Sequence, residues 1–238
     1  MEPVIALRGV VSVLGRFPVL AGVDLDVGRS EIVLLSGPNG AGKTSLLRLC
    51  SGLLAPVSGT ASVLGHALPR SRRRLRRRVG YLGHANALYD DLTVAENARF
   101  WARAAGATPE DAEAALDRLA VPGRLRDVEA LHLSAGQRRR VALAVLVARR
   151  PELWLLDEPH AGLDAAARDE LDALVLEAAA AGATVLVASH ELERSGALAR
   201  RVVCLAGGVV VADDAVAAPA PSPSEAAAPL RRTASDVA

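Results

Sequence analysis

The sequence predicts an α/β fold: a mostly parallel sheet covered by helices on both faces, with antiparallel strands ahead of it and a helical block inserted within it. Three observations predict this. Short apolar runs with no polar alternation, Ile32–Ser36, residues 153–156 and Thr184–Ala188, read as strands buried on both faces. Segments with apolar residues at helical spacing alternate with these runs. From residue 93 to about 150 the alternation stops and helical segments follow one another.

Taken in order, residues 4–7, 10–14 and 23–27 are short apolar stretches parted by glycine and proline turns, and each reads as a strand. Ile32–Ser36 follows, and a helix is expected from about residue 42 to 54. Residues 79–82 give another short strand. Residues 93–106 and 110–119 read as helices, and Pro109 suits a first helical turn, where its missing N–H has no partner to lose. A third helix is expected over 134–149 with Ser134 as its N-cap. Strand 153–156, helix 165–181, strand 184–188 and helix 191–199 resume the alternation. Residues 202–205 and 209–211 flank Gly207-Gly208 as a hairpin. The expectation is one domain over 1–214, with a helical subdomain at about 90–150. A disordered tail of Ala, Pro and Ser is expected over 215–238.

The formal net charge is +1 and 51% of residues are hydrophobic, enough for a sizeable core. That balance gives no whole-molecule reason to expect nucleic acid as a partner. No stretch approaches the roughly 18 consecutive apolar residues of a membrane helix. The first nine residues carry Glu2 and Pro3 and lack a basic-then-apolar leader, so the chain is expected in the cytosol. Cys50 and Cys204 read as small buried apolar residues. Arginine is abundant, whereas Lys43 is the only lysine. A site that keeps lysine in such a chain calls for a compact ammonium on a thin stem.

Lys43 lies in Gly37-Pro38-Asn39-Gly40-Ala41-Gly42-Lys43-Thr44, which fits G-x-x-x-x-G-K-[ST] and is followed by Ser45. The motif follows an apolar strand and opens a helix. Glycines let the backbone curl so that successive N–H groups point at phosphate oxygens, and the helix N-terminus adds its positive end. Lys43 is expected on the β and γ phosphates and the Thr44 hydroxyl on Mg²⁺. The strand 153–156 ends in Asp157 and Glu158. Ligands of an open parallel sheet bind beyond the carboxyl ends of its strands, so Asp157 is expected at Mg²⁺ and Glu158 as the base that polarises an attacking water.

Leu133-Ser134-Ala135-Gly136-Gln137 narrows the field. Here the sequence, over about residues 4 to 213, resembles the ABC ATPases, whose signature is L-S-G-G-Q; Ala135 replaces one glycine. The resemblance implies ATP as substrate with Mg²⁺ and a head-to-tail dimer, a homodimer or one with a second ATP-binding subunit. In that dimer Ser134 and Gly136 face the nucleotide of the partner. It also implies a D-loop at Asp164 within Ala161-Gly162-Leu163-Asp164, and a γ-phosphate-sensing switch histidine at His190. His84 takes the place of the Q-loop glutamine, and Leu14 stands where an aromatic ring stacks on adenine, with Phe17 as the nearby alternative.

Within the family, Tyr81-Leu82-Gly83-His84, Leu92-Thr93-Val94-Ala95-Glu96-Asn97 and the L-S-A-G-Q signature resemble the ATP-binding subunit of the haem exporter of cytochrome c maturation. That likeness implies an integral membrane permease as partner and a place on the cytoplasmic face of the cell membrane. Drug or polysaccharide exporters share most of these motifs but keep the Q-loop glutamine. A soluble ABC protein of DNA repair would need a coiled coil that the interval from Thr44 to Leu133 is too short to hold. Translation types carry two cassettes, and a P-loop kinase or GTPase leaves 133–137, Asp164 and His190 unexplained. Arg70 to Arg78 holds seven arginines, which read as a contact for anionic headgroups or an acidic partner, or as a solvated face.

Overall fold

The computed structural model describes residues 2–215 as two sheets with helices around them. The first sheet is antiparallel. β1 (Ile5–Leu14) lies between β2 (Phe17–Val27) and β4 (Ser58–Val63), with β5 (His66–Ala67) at the edge. The stretches 4–7 and 10–14, expected as two strands, are one. Its pairing shifts register between Leu7 and Val10, around Gly9 with φ at +54°, so the glycine makes an irregularity and not a turn.

The second sheet runs β10-β9-β3-β8-β7-β6. Its strands β3 (Ile32–Ser36), β6 (Val79–Leu82), β7 (Leu153–Asp157), β8 (Thr184–Ala188) and β9 (Arg201–Ala206) are mutually parallel where they pair, and β10 (Val209–Ala215) returns antiparallel on β9. The unbroken apolar runs are explained by two cores. Ile32, Leu34, Val185 and Val187 face the side covered by the later helices. Val33, Leu35, Leu186 and Ala188 face the side closed by β1, β2 and α1 (Lys43–Cys50).

Between β6 and β7 come α3 (Val94–Ala105), α4 (Pro109–Arg118) and α5 (Ala135–Arg149), which bury Ala98, Ala102, Leu116 and Leu143 in one cluster. Thr93, Thr108 and Ser134 each close a reciprocal capping box at their helix starts, which fixes where the helices begin. α6 (Ala165–Ala180) and α7 (Leu192–Leu198) flank β8 in the chain.

Several elements differ from expectation. α1 ends at Cys50 and not near 54, capped by Ser51. β4 and β5 escaped notice because only Ala61 and Val63 of β4 are buried, leaving no clear alternation. Within the arginine run, α2 (Arg72–Leu75) is held by the buried Leu75. Arg70, Arg72, Arg73, Arg74, Arg76 and Arg77 are exposed, while Arg78 grips Glu152 through two bonds of 2.5 and 2.8 Å. Ala215, expected to open the tail, is the last residue of β10 and pairs with Arg201; the rest of the expected tail, 216–238, lies outside the described residues. Cys50 is buried, which pushes its thiol up to about 12, and Cys204 is half-buried; both are free. Among the described residues no helix is long and apolar enough to cross a membrane.

Candidate nucleotide site

β3 delivers the chain to Gly37 and α1 starts at Lys43, so the segment 37–42 is the turn between them. Gly42 caps α1 in the left-handed region, φ 106°, where a side chain would also lie 2.9 Å from the Val19 carbonyl oxygen. A Cβ at Gly37 would overlap the Leu205 carbonyl. The buried Ala41 accepts a hydrogen bond from Gly208 N–H at 3.0 Å. The N–H groups of Lys43, Thr44 and Ser45 find no acceptor among the described residues. Pro38, Asn39 and Gly40 are exposed. Lys43 folds back over the loop and donates from Nζ to Gly37 O at 2.6 Å and Pro38 O at 3.1 Å. The result is a concave row of donors with a positive centre.

β7, two strands away in the sheet, ends beside this loop. Asp157 is buried beside the Thr44 side chain. Burial raises the Asp157 pKa above the usual range. The Thr44 hydroxyl opposes that shift, the neighbouring Glu158 charge adds to it, and Arg139 and His84 lower it. The Tyr81 pKa is raised, first by burial and then by the Asp157 charge. Glu158 holds a left-handed backbone, φ 46°, unusual for a residue with a side chain. Its N–H donates to Ala188 O of β8 at 2.8 Å. His190, which follows β8 in the chain, sets Nδ1 2.8 Å from Glu158 Oε2 and is otherwise well exposed. That bond and the carboxylate charge raise the His190 pKa above its ordinary value. Thus Thr44, Asp157, Glu158, His190 and His84 converge at the carboxyl end of the sheet, beside the 37–45 loop.

Sequence reasoning missed Arg139, the middle of three consecutive arginines on α5. It is 4% exposed, and burial lowers its pKa to about 10. Its guanidinium donates to five oxygens drawn from the loop after β6 and from the end of β7 with the loop behind it. Three arginines in a row carry no signal that one is buried.

The 133–137 segment lies elsewhere. Ser134 Oγ accepts from Gln137 N–H at 3.3 Å, and Gln137 Oε1 accepts from Ser134 N–H at 2.8 Å. Ala135 is simply the first residue of α5, so its side chain meets no backbone demand for glycine. Gly136 does meet one, since a Cβ there would lie 2.9 Å from the Gly162 carbonyl oxygen. Asp164 caps α6 through Ala167 N–H at 2.8 Å and accepts from Arg140 at 3.3 Å. Between these segments is a cavity of about 240 Å³ lined by Ser134, Gly136, Gln137, Gly162 and Asp164, to which no residue of 37–45 contributes. One chain therefore carries a phosphate cradle and, apart from it, a second motif surface.

Residues 20–161 match the ABC transporter family. The chain belongs to that family. It is 42% identical to the cytochrome c biogenesis ATP-binding export protein CcmA of Cupriavidus necator, over 80% of this chain and 84% of that one. The protein of the same name from Rhodopseudomonas palustris is 43% identical, over 77% and 90%. Among solved structures, the ATP-binding subunit of an ABC transporter superposes with a TM-score of 0.83 at 28% identity, covering 90% of each chain. A dimeric, post-hydrolysis ATP-binding cassette bound to ADP and Pi gives 0.79 at 25% identity, covering 89% of this chain and 98% of that one.

As an ABC ATPase the chain is an ATP-hydrolysing subunit of a transporter. Two exposed apolar side chains fit its need for a surface to hold a base. Leu14 and Phe17 pair across the β1–β2 turn, and Phe17, 77% exposed, lies two residues before Val19, whose carbonyl abuts Gly42. The oxygen pair of Thr44 and Asp157 suits Mg²⁺, which takes few protein ligands and completes its shell with phosphates and water.

Proposed function

We propose that this ABC ATPase works as a dimer beneath a membrane permease, on its cytoplasmic face, and drives haem export for cytochrome c-type biogenesis. The observation that carries the cargo class is the identity of about 40% along most of both chains to relatives named for cytochrome c biogenesis export. Gly83-His84 and the L-S-A-G-Q signature support the same branch.

The chemistry follows from the geometry. ATP phosphates meet the N–H donors of Lys43, Thr44 and Ser45, and Lys43 exchanges two backbone carbonyls for β and γ phosphate oxygens. Thr44 and Asp157 would hold Mg²⁺, which would supply charge neutralisation on the phosphates. Glu158 accepts the proton of the attacking water, and His84 hydrogen-bonds near that water. Glu158 is engaged by His190, whose Nδ1 lies 2.8 Å from its Oε2. The γ-phosphate draws His190 away and frees the carboxylate, so the base becomes competent only when ATP is present. Ser134 and Gly136 of a second copy close the site from across the interface, with Asp164 contacting the partner. Closure on ATP and reopening after hydrolysis levers the permease.

The test is purification of Glu158→Gln with ATP from solubilised membranes, with identification of what accompanies it and a visible absorbance spectrum. Recovery of a closed dimer with a multi-span permease and a haem-handling protein or haem absorbance is expected. A drug- or polysaccharide-type permease keeps the motor and overturns the cargo. No membrane protein, with wild-type ATPase intact, overturns the transporter partnership.

A further inference from the structure

None of the steps above uses Arg139, yet it makes the densest set of polar contacts in the site. Nε donates to Pro159 O at 3.2 Å; one terminal nitrogen donates to Gly83 O at 2.6 Å and Asn86 Oδ1 at 3.2 Å; the other donates to Asp157 O at 3.0 Å and Glu158 O at 2.8 Å. We propose that Arg139 is a positioning residue for hydrolysis: its guanidinium fixes the loop bearing His84 against the loop bearing Asp157 and Glu158, and fastens both to the helix that opens with the signature. This rests on the reading of Glu158 as the base.

The ladder explains why such a clamp is needed. The β6–β7 pairing ends at Leu82↔Leu156. Beyond it β6 has ended at Leu82, while β7 runs one residue further to Asp157, which pairs with Ala188 of β8, so no ladder joins Gly83 to Asp157. The guanidinium takes over there, accepted by the Gly83 and Asp157 carbonyls as if it were one more rung. Glu158 is clamped at both ends, its N–H by Ala188 O and its C=O by Arg139, which holds the left-handed backbone that aims the carboxylate. No acceptor is a carboxylate, so the contacts do not recover the desolvation of the charge in the way an ion pair does. An apolar side chain of similar volume is often no less stabilising in such a position. What the guanidinium adds is a rigid planar fork that reaches two chain segments at fixed distances. It stands on α5 about one turn beyond Ser134, while its neighbours are tied elsewhere, Arg138 to Asp90 and Arg140 to Asp164. A shift of α5 when the signature meets the partner's nucleotide therefore moves both loops together.

The experiment compares Arg139→Gln and Arg139→Lys with wild type and Glu158→Gln in the full chain, reading equilibrium ATP affinity, kcat and melting temperature. Neither replacement spans the loops. The expected result is a kcat lower by about tenfold or more with ATP affinity within about twofold, because small misplacements of a base are costly while Arg139 donates no hydrogen bond to the 37–45 loop. In Arg139→Gly, free guanidinium at millimolar concentration restores kcat saturably and methylammonium does not. A folded Gln or Lys variant with kcat within twofold of wild type overturns the proposal, as does a loss of kcat and affinity together in step with the folded fraction. Where no variant folds, hydrogen exchange of the wild type decides: amides of 83–86 and 158–160 opening as one unit support the clamp, and independent opening overturns it. Hydrolysis persisting in Glu158→Gln removes the base assignment itself, a result separate from any behaviour of Arg139.

Discussion

The pairing of His190 with Glu158 has a measurable signature. The bond to the carboxylate and its charge raise the His190 pKa above the ordinary value, so the imidazolium persists at pH values where a free histidine is neutral. For such a raised group the sign is fixed. Whatever the pair contributes to the folded state is fully present below the unfolded histidine pKa and is lost as pH rises through the raised value. Titration of the His190 ring by NMR is expected to show that elevation in nucleotide-free protein and a return towards the ordinary value in Glu158→Gln. An unchanged titration in the variant rules out Glu158 as the cause. ATP binding is expected to lower the midpoint relative to the apo protein only if the imidazole leaves the carboxylate without gaining an equal negative charge. A γ-phosphate keeps it high, so retention of the elevation with ATP in Glu158→Gln reports arrival at the phosphate.

At the scale of elements, α5 carries two separable duties in its first turn. Ser134 caps the helix, and it is proposed to touch the partner's nucleotide. Ser134→Ala removes a cap worth about 1 kcal/mol and lowers the melting temperature accordingly. Ser134→Asp keeps an acceptor for the Gln137 N–H but sets a negative charge towards phosphate. It is expected to keep wild-type stability and lose ATP-driven dimerisation, measured by light scattering; a variant that still dimerises removes Ser134 from the interface. The same element shows what a sequence discloses. The cradle 37–45, the signature and the Asp157-Glu158 pair are each contiguous, and their backbone demands select residue types at fixed spacing. Arg139 obeys no such local rule. Consecutive helical residues point about 100° apart, so three adjacent arginines reach Asp90, a buried set of carbonyls and Asp164, and only the packing of two distant loops tells them apart. β4 and α2 were illegible for a related reason, since each leans on one or two buried side chains.

Over the whole molecule, the parallel sheet was legible because its strands are buried on both faces and therefore apolar throughout, a pattern that survives without any partner in view. The antiparallel sheet was less so, because its register shift at Gly9 mimics a chain break. The manner in which the sheets join has a consequence for biosynthesis. The phosphate loop leaves the ribosome early, yet Leu205 and Gly208, which press on Gly37 and hold Ala41, are among the last described residues to be made. All the motifs between Gly37 and His190 are translated before the hairpin that shapes the first of them. A nascent chain stopped at residue 200 has every signature residue and is expected to bind no ATP, whereas one released at 215 binds it at full affinity. Ribosome-tethered chains of increasing length, probed with an ATP photo-affinity label, test this, and labelling before 208 has emerged contradicts it. The nucleotide can then act as a late check on synthesis, accepted only by chains whose carboxyl-terminal hairpin has arrived and docked.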